Sequence, residues 1–182
     1  MARVPYVPQA ELDPDYQDLV VSSLQPGKQL NVYSALSNNQ EVLRGMRALL
    51  GTLWNDSGLT DRQREIVILT LASETGSEYE WHQHVSIAAE AGLEPEEVAA
   101  IARDDRAPFP EEEQLIVSYT RAVAQGRVTD ELHEAIGEHL GERALVGAAS
   151  TAAGYLALGR VIDALAVEVE RGDQFVGWDP SG

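Results

Sequence analysis

The stretch TGSEYEWHQHV, residues 75 to 85, combines two carboxylates, two histidines, a tyrosine and a tryptophan. Carboxylates beside histidine suit general acid–base catalysis, because imidazole titrates near neutral pH and a carboxylate can fix its tautomer. On a helix, side chains three, four and seven positions apart share a face, so Ser77, Glu80 and His84 line up. The spacing therefore predicts a polar strip that presents Glu80 and His84 together.

The other positions of this stretch fall on different faces of the same helix. Glu78 and His82, four residues apart, form a second pair that is predicted to be solvated. Trp81, Val85 and Ala88 share a third face that is suited to the core. One helix can thus pack against the protein on one side and present chemical groups on another.

The segment just before the strip supplies a further acid, Glu65, which is followed by the apolar residues Ile66 and Val67. A carboxylate beside an apolar run must be paired, protonated or exposed at an edge, because an isolated buried charge is costly. Pairing with an arginine of another helix or subunit is one possibility, and a role beside a histidine is the other.

A metal site is the main chemical alternative. Glu65, Glu80 and His84 together would offer two oxygens and one nitrogen with open positions. The paired-histidine spacing of zinc proteases is missing, and the chain has no cysteine, which excludes thiolate sites. No metal and no cofactor is therefore predicted, and the isolated His133 and His139 are expected at the surface.

Helical periodicity runs along most of the chain, and no segment shows the alternation of a strand. Capping signals divide it: a Thr60/Gln63 capping box, Gly76 and Gly92 as left-handed caps, and Pro95 at a first helical position. The pattern predicts an all-α fold. Its helices are expected at 12 to 24, from about 39 to 54, at 60 to 75, 77 to 91, 95 to 103, 111 to 125, 129 to 140 and 141 to 170.

Composition excludes several classes of function. The 182 residues carry a net charge of −17, with Lys28 the single lysine, which argues against nucleic acid and anionic membrane surfaces. A signal peptide and an apolar run of membrane-spanning length are not apparent, so a cytoplasmic location is expected. The acidic surface also suggests a halophilic source, since salt screens the self-repulsion.

The segment REIVILTLASETGSEYEWHQHVSIAAEAGL resembles the core of the carboxymuconolactone decarboxylase superfamily, which includes the alkylhydroperoxidase D-like proteins. The likeness covers about residues 59 to 101 and is weaker in AAGYLALGRVIDALAVEVE. It implies a compact oligomeric helical bundle, as a homotrimer or homohexamer. The expected organisation is an N-terminal helical extension (1–58), the family domain (59–172) and a tail (173–182) that latches onto a neighbouring surface through Phe175 and Trp178.

In the peroxidase branch, the resemblance implies a glutamate at Glu65, a histidine at His84 and two cysteines where this chain has Ser77 and Glu80. Serine and glutamate cannot form sulfenic acids or disulfides, so a cysteine-dependent peroxidase is excluded. The decarboxylase branch needs no cysteine. It implies a lyase-like activity in which His84 is the acid–base catalyst and Glu65 or Glu80 orients it.

The implied substrate is a small carboxylated or lactone-like molecule. Ser77, Tyr79 and Trp81 are the candidate substrate-binding residues, although Trp81 is first of all suited to the core or an interface. An anionic substrate also needs an arginine, and Arg62 and Arg64 are the candidates. The alternative function is a non-catalytic helical oligomer or small-ligand-binding module that has lost the thiol peroxidase activity.

Overall fold

The computed structural model describes residues 1–22 and 27–180, and within them the prediction of an all-α fold is confirmed. Seven α-helices follow one another within these described residues. They are α1 (Asn31–Leu36), α2 (Gln40–Asp56), α3 (Asp61–Thr75), α4 (Glu78–Glu90), α5 (Pro95–Ala102), α6 (Glu111–Gln125) and α7 (Asp130–Leu165).

Helix α3 is the centre of the bundle and contacts α4, α5, α6 and α7. Its run from Arg64 to Ala72 is buried without interruption, as the nearly continuous apolar sequence predicts. Thr60 and Gln63 form the expected capping box, and Gly76 ends the helix in a left-handed conformation at φ 67°. These caps fix where α3 stops and where α4 begins, and so place Glu65 beside the site strip.

Helix α7 contains a break at Gly141, whose φ of 71° and ψ of 165° are not helical. This is where the sequence predicts the end of one helix and the start of the next. Helix α7 as a whole lies against α2, α3 and α6. It ends at Leu165, whereas the sequence predicts a helix to residue 170. An 18-residue window of α7 is apolar enough to cross a membrane by length and composition, and 56% of it is buried inside the protein. Such a window is also found in core helices.

The N-terminal region differs from the prediction. A helix over 12 to 24 is wrong for residues 12 to 22, where a 3-10 helix, Pro14–Val20, is present; residues 23–26 lie outside the described part. The chain cannot continue as a helix because Val20 and Ser22 form backbone hydrogen bonds with Leu30 and Lys28. Helix α1 follows, and its short sequence gave no helical signal of its own.

Helix α2 is present as expected, but the face that it buries is rotated about the helix axis relative to the predicted one. Helical spacing predicts one apolar face made of Val42, Met46, Leu49, Leu50 and Leu53. Val42 and Leu49 are nevertheless 48% and 44% exposed, whereas Leu43 is fully buried. Two apolar stripes lie side by side on this helix, and only the positions of α7 and the N-terminal segment decide which one is covered.

The C-terminal tail packs on the core as predicted, through Trp178. Its ring lies 5.1 Å from that of Trp81 and 5.3 Å from that of Phe175, measured between centroids. The Trp81 indole donates a hydrogen bond to the Gly177 carbonyl at 2.8 Å. This contact covers the Trp81 side of α4 with the tail.

Candidate active site between α2, α4 and α7

The central contact of the site joins α4 to α3. His84 Nδ1 lies 2.8 Å from Glu65 Oε2, and Glu65 is fully buried. A carboxylate only accepts hydrogen bonds, so Nδ1 carries the hydrogen and Nε2 keeps the free lone pair. Of the two acids that the sequence proposed as partners for His84, the structure places Glu65 in contact with it.

Glu65 is itself held by a cation. Arg64 Nε donates to Glu65 Oε1 at 3.3 Å, and the Arg64 guanidinium also donates to Asp61 and to the Trp54 carbonyl. The guanidinium carbon lies 3.7 Å above the Trp54 ring, a cation–π contact. The buried carboxylate is therefore paired, as its apolar neighbourhood requires, and the arginine comes from the adjacent position of α3 and not from another subunit.

His84 forms part of the wall of a cavity of about 430 Å³, called here the outer cavity. The His84 ring packs edge-on against Tyr155 at 5.4 Å and lies 6.1 Å from Trp54. With Nδ1 engaged by Glu65, Nε2 is the ring nitrogen available to a ligand. The wall is completed by Ser22, Leu30, Tyr33, Arg47, Leu50, Gly51, Asn55, Gln83 and Ile87.

Arg47 gives the outer cavity its charge. Among the described lining residues it is the single permanent ion, and no carboxylate of the described chain lies within salt-bridge distance of it. Its guanidinium lies 4.5 Å above the Tyr33 ring, and Nη2 reaches the Val21 carbonyl at 3.5 Å. In a protein of net charge −17, this cavity presents a positive group, which suits an anionic ligand.

The two arginines proposed from the sequence lie elsewhere. Arg62 is bridged to Glu97 at 2.6 Å and to Glu113 at 2.7 Å, and these carboxylates raise its pKa. Arg64 is bound to Glu65. Neither lines the outer cavity. Arg47 was missed because nothing in the local pattern of α2 distinguishes it from Arg44, one turn earlier.

A smaller inner cavity of about 50 Å³ adjoins the outer one and shares His84 and Tyr155 with it. Glu80 lines this inner cavity and is 2% exposed. Neither of its oxygens has a hydrogen-bond partner among the described residues. Burial, followed by the negative charge of Asp163, raises the pKa of Glu80 well above its ordinary value. Burial therefore favours the neutral, protonated form of the Glu80 carboxyl group.

The predicted substrate-binding residues occupy three different environments. The Tyr79 hydroxyl donates to Glu170 at 2.7 Å, and burial raises its pKa. The Ser77 hydroxyl is buried without a described partner, and Ser77 lines a third cavity between the start of α4 and the end of α7. Trp81 is fully buried and lines neither of the two cavities at His84. Tyr79 alone of the three reaches the inner cavity.

The second histidine of the strip does not behave as expected. His82 is 11% exposed, and its Nε2 lies 3.8 Å from Asp173, so a solvated pair with Glu78 is wrong. The tail, whose position the sequence of α4 cannot specify, covers this side chain. His133 and His139 are exposed, as predicted.

The alternative metal site is not supported by the geometry. Within residues 1–22 and 27–180, no three His, Asp or Glu side chains come close enough to hold an ion. Glu65 is committed to His84 and Arg64, while Glu80 lies apart in the inner cavity.

The raised pKa of Glu80 predicts how the stability of the protein depends on pH. Because folding raises its pKa, its contribution is fully present below the unfolded pKa of about 4.3 and is lost as pH rises through the folded pKa. The wild type should therefore lose stability relative to Glu80→Gln as pH rises above about 4.3. The difference between their free energies of unfolding should change by up to ~1.4 kcal/mol per pH unit. Urea unfolding from pH 4 to pH 9 measures this difference.

Glu78→Gln, which removes an exposed charge from the same helical turn, is the control. Parallel profiles for Glu80→Gln and the wild type would contradict the prediction.

Comparison with known proteins agrees with this architecture. Residues 40–110 match the carboxymuconolactone decarboxylase family, which confirms the resemblance seen in the sequence. No protein of curated function matches the chain.

Solved structures share the fold over nearly the whole chain. An alkylhydroperoxidase AhpD core protein from Ralstonia eutropha JMP134, described as an uncharacterized peroxidase-related protein, superposes with a TM-score of 0.81 at 20% identity, covering 93% of both chains. An uncharacterized peroxidase-related protein from Silicibacter sp. TM1040 gives 0.79 at 19% identity, covering 93% of this chain and 92% of the other. A single-residue variant of the debrominase Bmp8, in complex with 2,3,4-tribromopyrrole, gives 0.74 at 14% identity, covering 93% and 91%. At these identities the likeness concerns the fold.

Proposed function

From the premise that residues 40–110 carry the helices of the carboxymuconolactone decarboxylase family, we propose that this protein is an acid–base enzyme acting on a small carboxylated molecule. The observation that carries the proposal is the buried His84–Glu65 pair at 2.8 Å, set in the wall of a cavity large enough for a small organic ligand. His84 moves the proton, and Glu65 is the residue that positions it.

In the proposed reaction, each residue around His84 has its own role. With Nδ1–H bound to Glu65, His84 Nε2 accepts a proton from a carbon acid or returns one to an enolate. The Glu65 carboxylate stabilises the imidazolium that forms, and Arg64 keeps Glu65 in place. Trp54 and Tyr155 hold the ring from two sides and limit the access of water. Decarboxylation of a lactone acid, with protonation of the resulting enolate at His84, is the specific form that the family suggests.

Arg47 supports the choice of an anionic substrate. Its guanidinium is fixed above Tyr33 and has hydrogen-bond donors left for a ligand in the outer cavity. A carboxylate bound there gains a charge-assisted hydrogen bond, and the remainder of the molecule then lies beside His84. The cysteine-dependent peroxidase reaction stays excluded, since the chain contains no cysteine.

The test measures both ligand binding and the exchange of ligand hydrogens with solvent. Pentanoate binding is measured by calorimetry, and exchange of the hydrogens beside the ketone of 4-oxopentanoate in D₂O is followed by NMR. The wild type should bind the carboxylate and accelerate the exchange. Binding without exchange would favour a ligand-binding module that does no chemistry, and the absence of both would refute the proposal.

Arg47→Met should weaken pentanoate binding by about tenfold or more, because a hydrogen bond to a charged group contributes roughly 1.5–3 kcal/mol. Arg44→Met is a matched control, since Arg44 also lies on α2 and stacks on a tyrosine, Tyr16, at 4.2 Å, but does not line the outer cavity. Equal losses in the two variants would show that Arg47 acts through general charge and not through contact.

A further inference from the structure

Glu80 has no role in holding His84, and its surroundings call for another explanation. It is buried in the inner cavity, and the described residues supply no partner for either oxygen. A buried polar group without a partner costs free energy, and such groups are typical of functional sites. The inner cavity is lined by aliphatic side chains together with Gln83, His84 and three tyrosines, and none of these described lining residues is a permanent cation.

The titratable groups that face Glu80 come from three helices. They are Tyr33 of α1, Tyr79 and His84 of α4, and Tyr155 and Asp163 of α7. None of them is a permanent cation, and Arg64 is committed to Glu65 and Asp61. An ionised Glu80 would be an uncompensated charge in an apolar enclosure. The neutral acid, by contrast, has an O–H that can donate a hydrogen bond.

The inner cavity has room for a small acceptor group. Its volume of about 50 Å³ exceeds the roughly 10–15 Å³ that one water needs, and His84 is among the side chains that line both this cavity and the outer one. A ligand anchored at Arg47 can therefore pass His84 and place an uncharged oxygen in the inner cavity.

We propose that the inner cavity is a subsite for an uncharged carbonyl oxygen, and that Glu80 donates the hydrogen bond that holds this oxygen. The inference rests on the proposed function, because it defines the ligand of that same site. The ligand class becomes an oxo acid, or a lactone acid, with a carboxylate at Arg47 and a carbonyl at Glu80. Specificity for the carbonyl follows from a donor that is fixed before the ligand arrives.

This arrangement supports enolisation as a balanced step. The hydrogen on the carbon beside the carbonyl leaves as a proton to His84 Nε2, and the C–H electron pair forms a C=C bond. The carbonyl π pair moves to the oxygen, which takes the proton of Glu80. The product is an enol, with His84 as imidazolium and Glu80 as carboxylate, and the reverse transfers restore both groups.

The experiment compares two probes of equal chain length, 4-oxopentanoate and pentanoate, which differ in the ketone. Calorimetry on the wild type should show about three- to tenfold tighter binding of 4-oxopentanoate, the range for one added neutral hydrogen bond. Glu80→Leu, which makes the side chain apolar at similar size, should erase this preference. Glu80→Gln, whose amide N–H can still donate, should retain part of it.

The binding results distinguish the carbonyl subsite from the anion site at Arg47. Equal affinities of the wild type for both probes would overturn the inference while leaving the anion site in place. A preference that survives in Glu80→Leu would overturn it as well, as would a Glu80→Gln variant that behaves like Glu80→Leu. Binding of neither probe would overturn the proposed function together with this inference.

A second measurement keeps the inference testable if Glu80→Leu fails to fold. The infrared spectrum of the wild type at pH 7 should contain the C=O band of a protonated carboxyl group, and this band should be missing from Glu80→Gln. A wild-type spectrum without the band would overturn the proposal, because an ionised carboxylate cannot donate.

Discussion

His84→Gln should lower the rate of hydrogen exchange in 4-oxopentanoate by about 10²–10⁴-fold, the usual contribution of a general acid–base residue. Glutamine can still accept or donate a hydrogen bond, yet it cannot carry a proton at neutral pH. Pentanoate affinity should change little, because Arg47 is unaltered. NMR exchange rates and calorimetry measure the two effects separately.

His82→Gln is the matched control for this substitution. His82 lies two positions earlier on α4 and faces Asp173 of the tail instead of Glu65. Its exchange rate should stay close to that of the wild type. If His84→Gln retained the wild-type rate within a few-fold while binding pentanoate normally, the assignment of His84 as the proton-transfer residue would be wrong.

Gly147→Ala should destabilise the fold by about 3 kcal/mol or more, at or above the upper end of the usual range for overpacking. A Cβ at this position of α7 would lie 2.7 Å from the carbonyl carbon of Ser57 and closer still to its oxygen. Backbone atoms cannot rotate aside as a side chain can, so α7 and the end of α2 must separate. Urea unfolding gives the change in free energy.

The control for this effect is Gly45→Ala in α2, where an added Cβ meets nothing within 4 Å. That substitution should stabilise the protein by about 0.5–1 kcal/mol, since alanine favours the helix over glycine. A Gly147→Ala variant as stable as the wild type would show that α2 and α7 are not packed as closely as described.

The sequence by itself determined the helices from α2 onward and most of their ends. The Thr60/Gln63 capping box, the glycine after α3 and the proline that opens α5 are local signals, because each satisfies or terminates the backbone within a few residues. Local periodicity likewise placed Trp81 and Ala88 in the core and put Glu80 and His84 together on a neighbouring face of α4. Glu65 came from a family resemblance, and its need for a partner came from its apolar neighbours.

Only the tertiary structure decided which distant groups surround His84. The choice of Glu65 over Glu80 as its partner depends on the crossing of α3 and α4, and the cation of the cavity, Arg47, is brought there by α2. The raised pKa of Glu80 likewise depends on its burial by side chains from the segment before α1 and from α2 and α7. Sequence spacing reports which residues share one helical face, whereas charge state and site composition depend on what other helices place opposite that face.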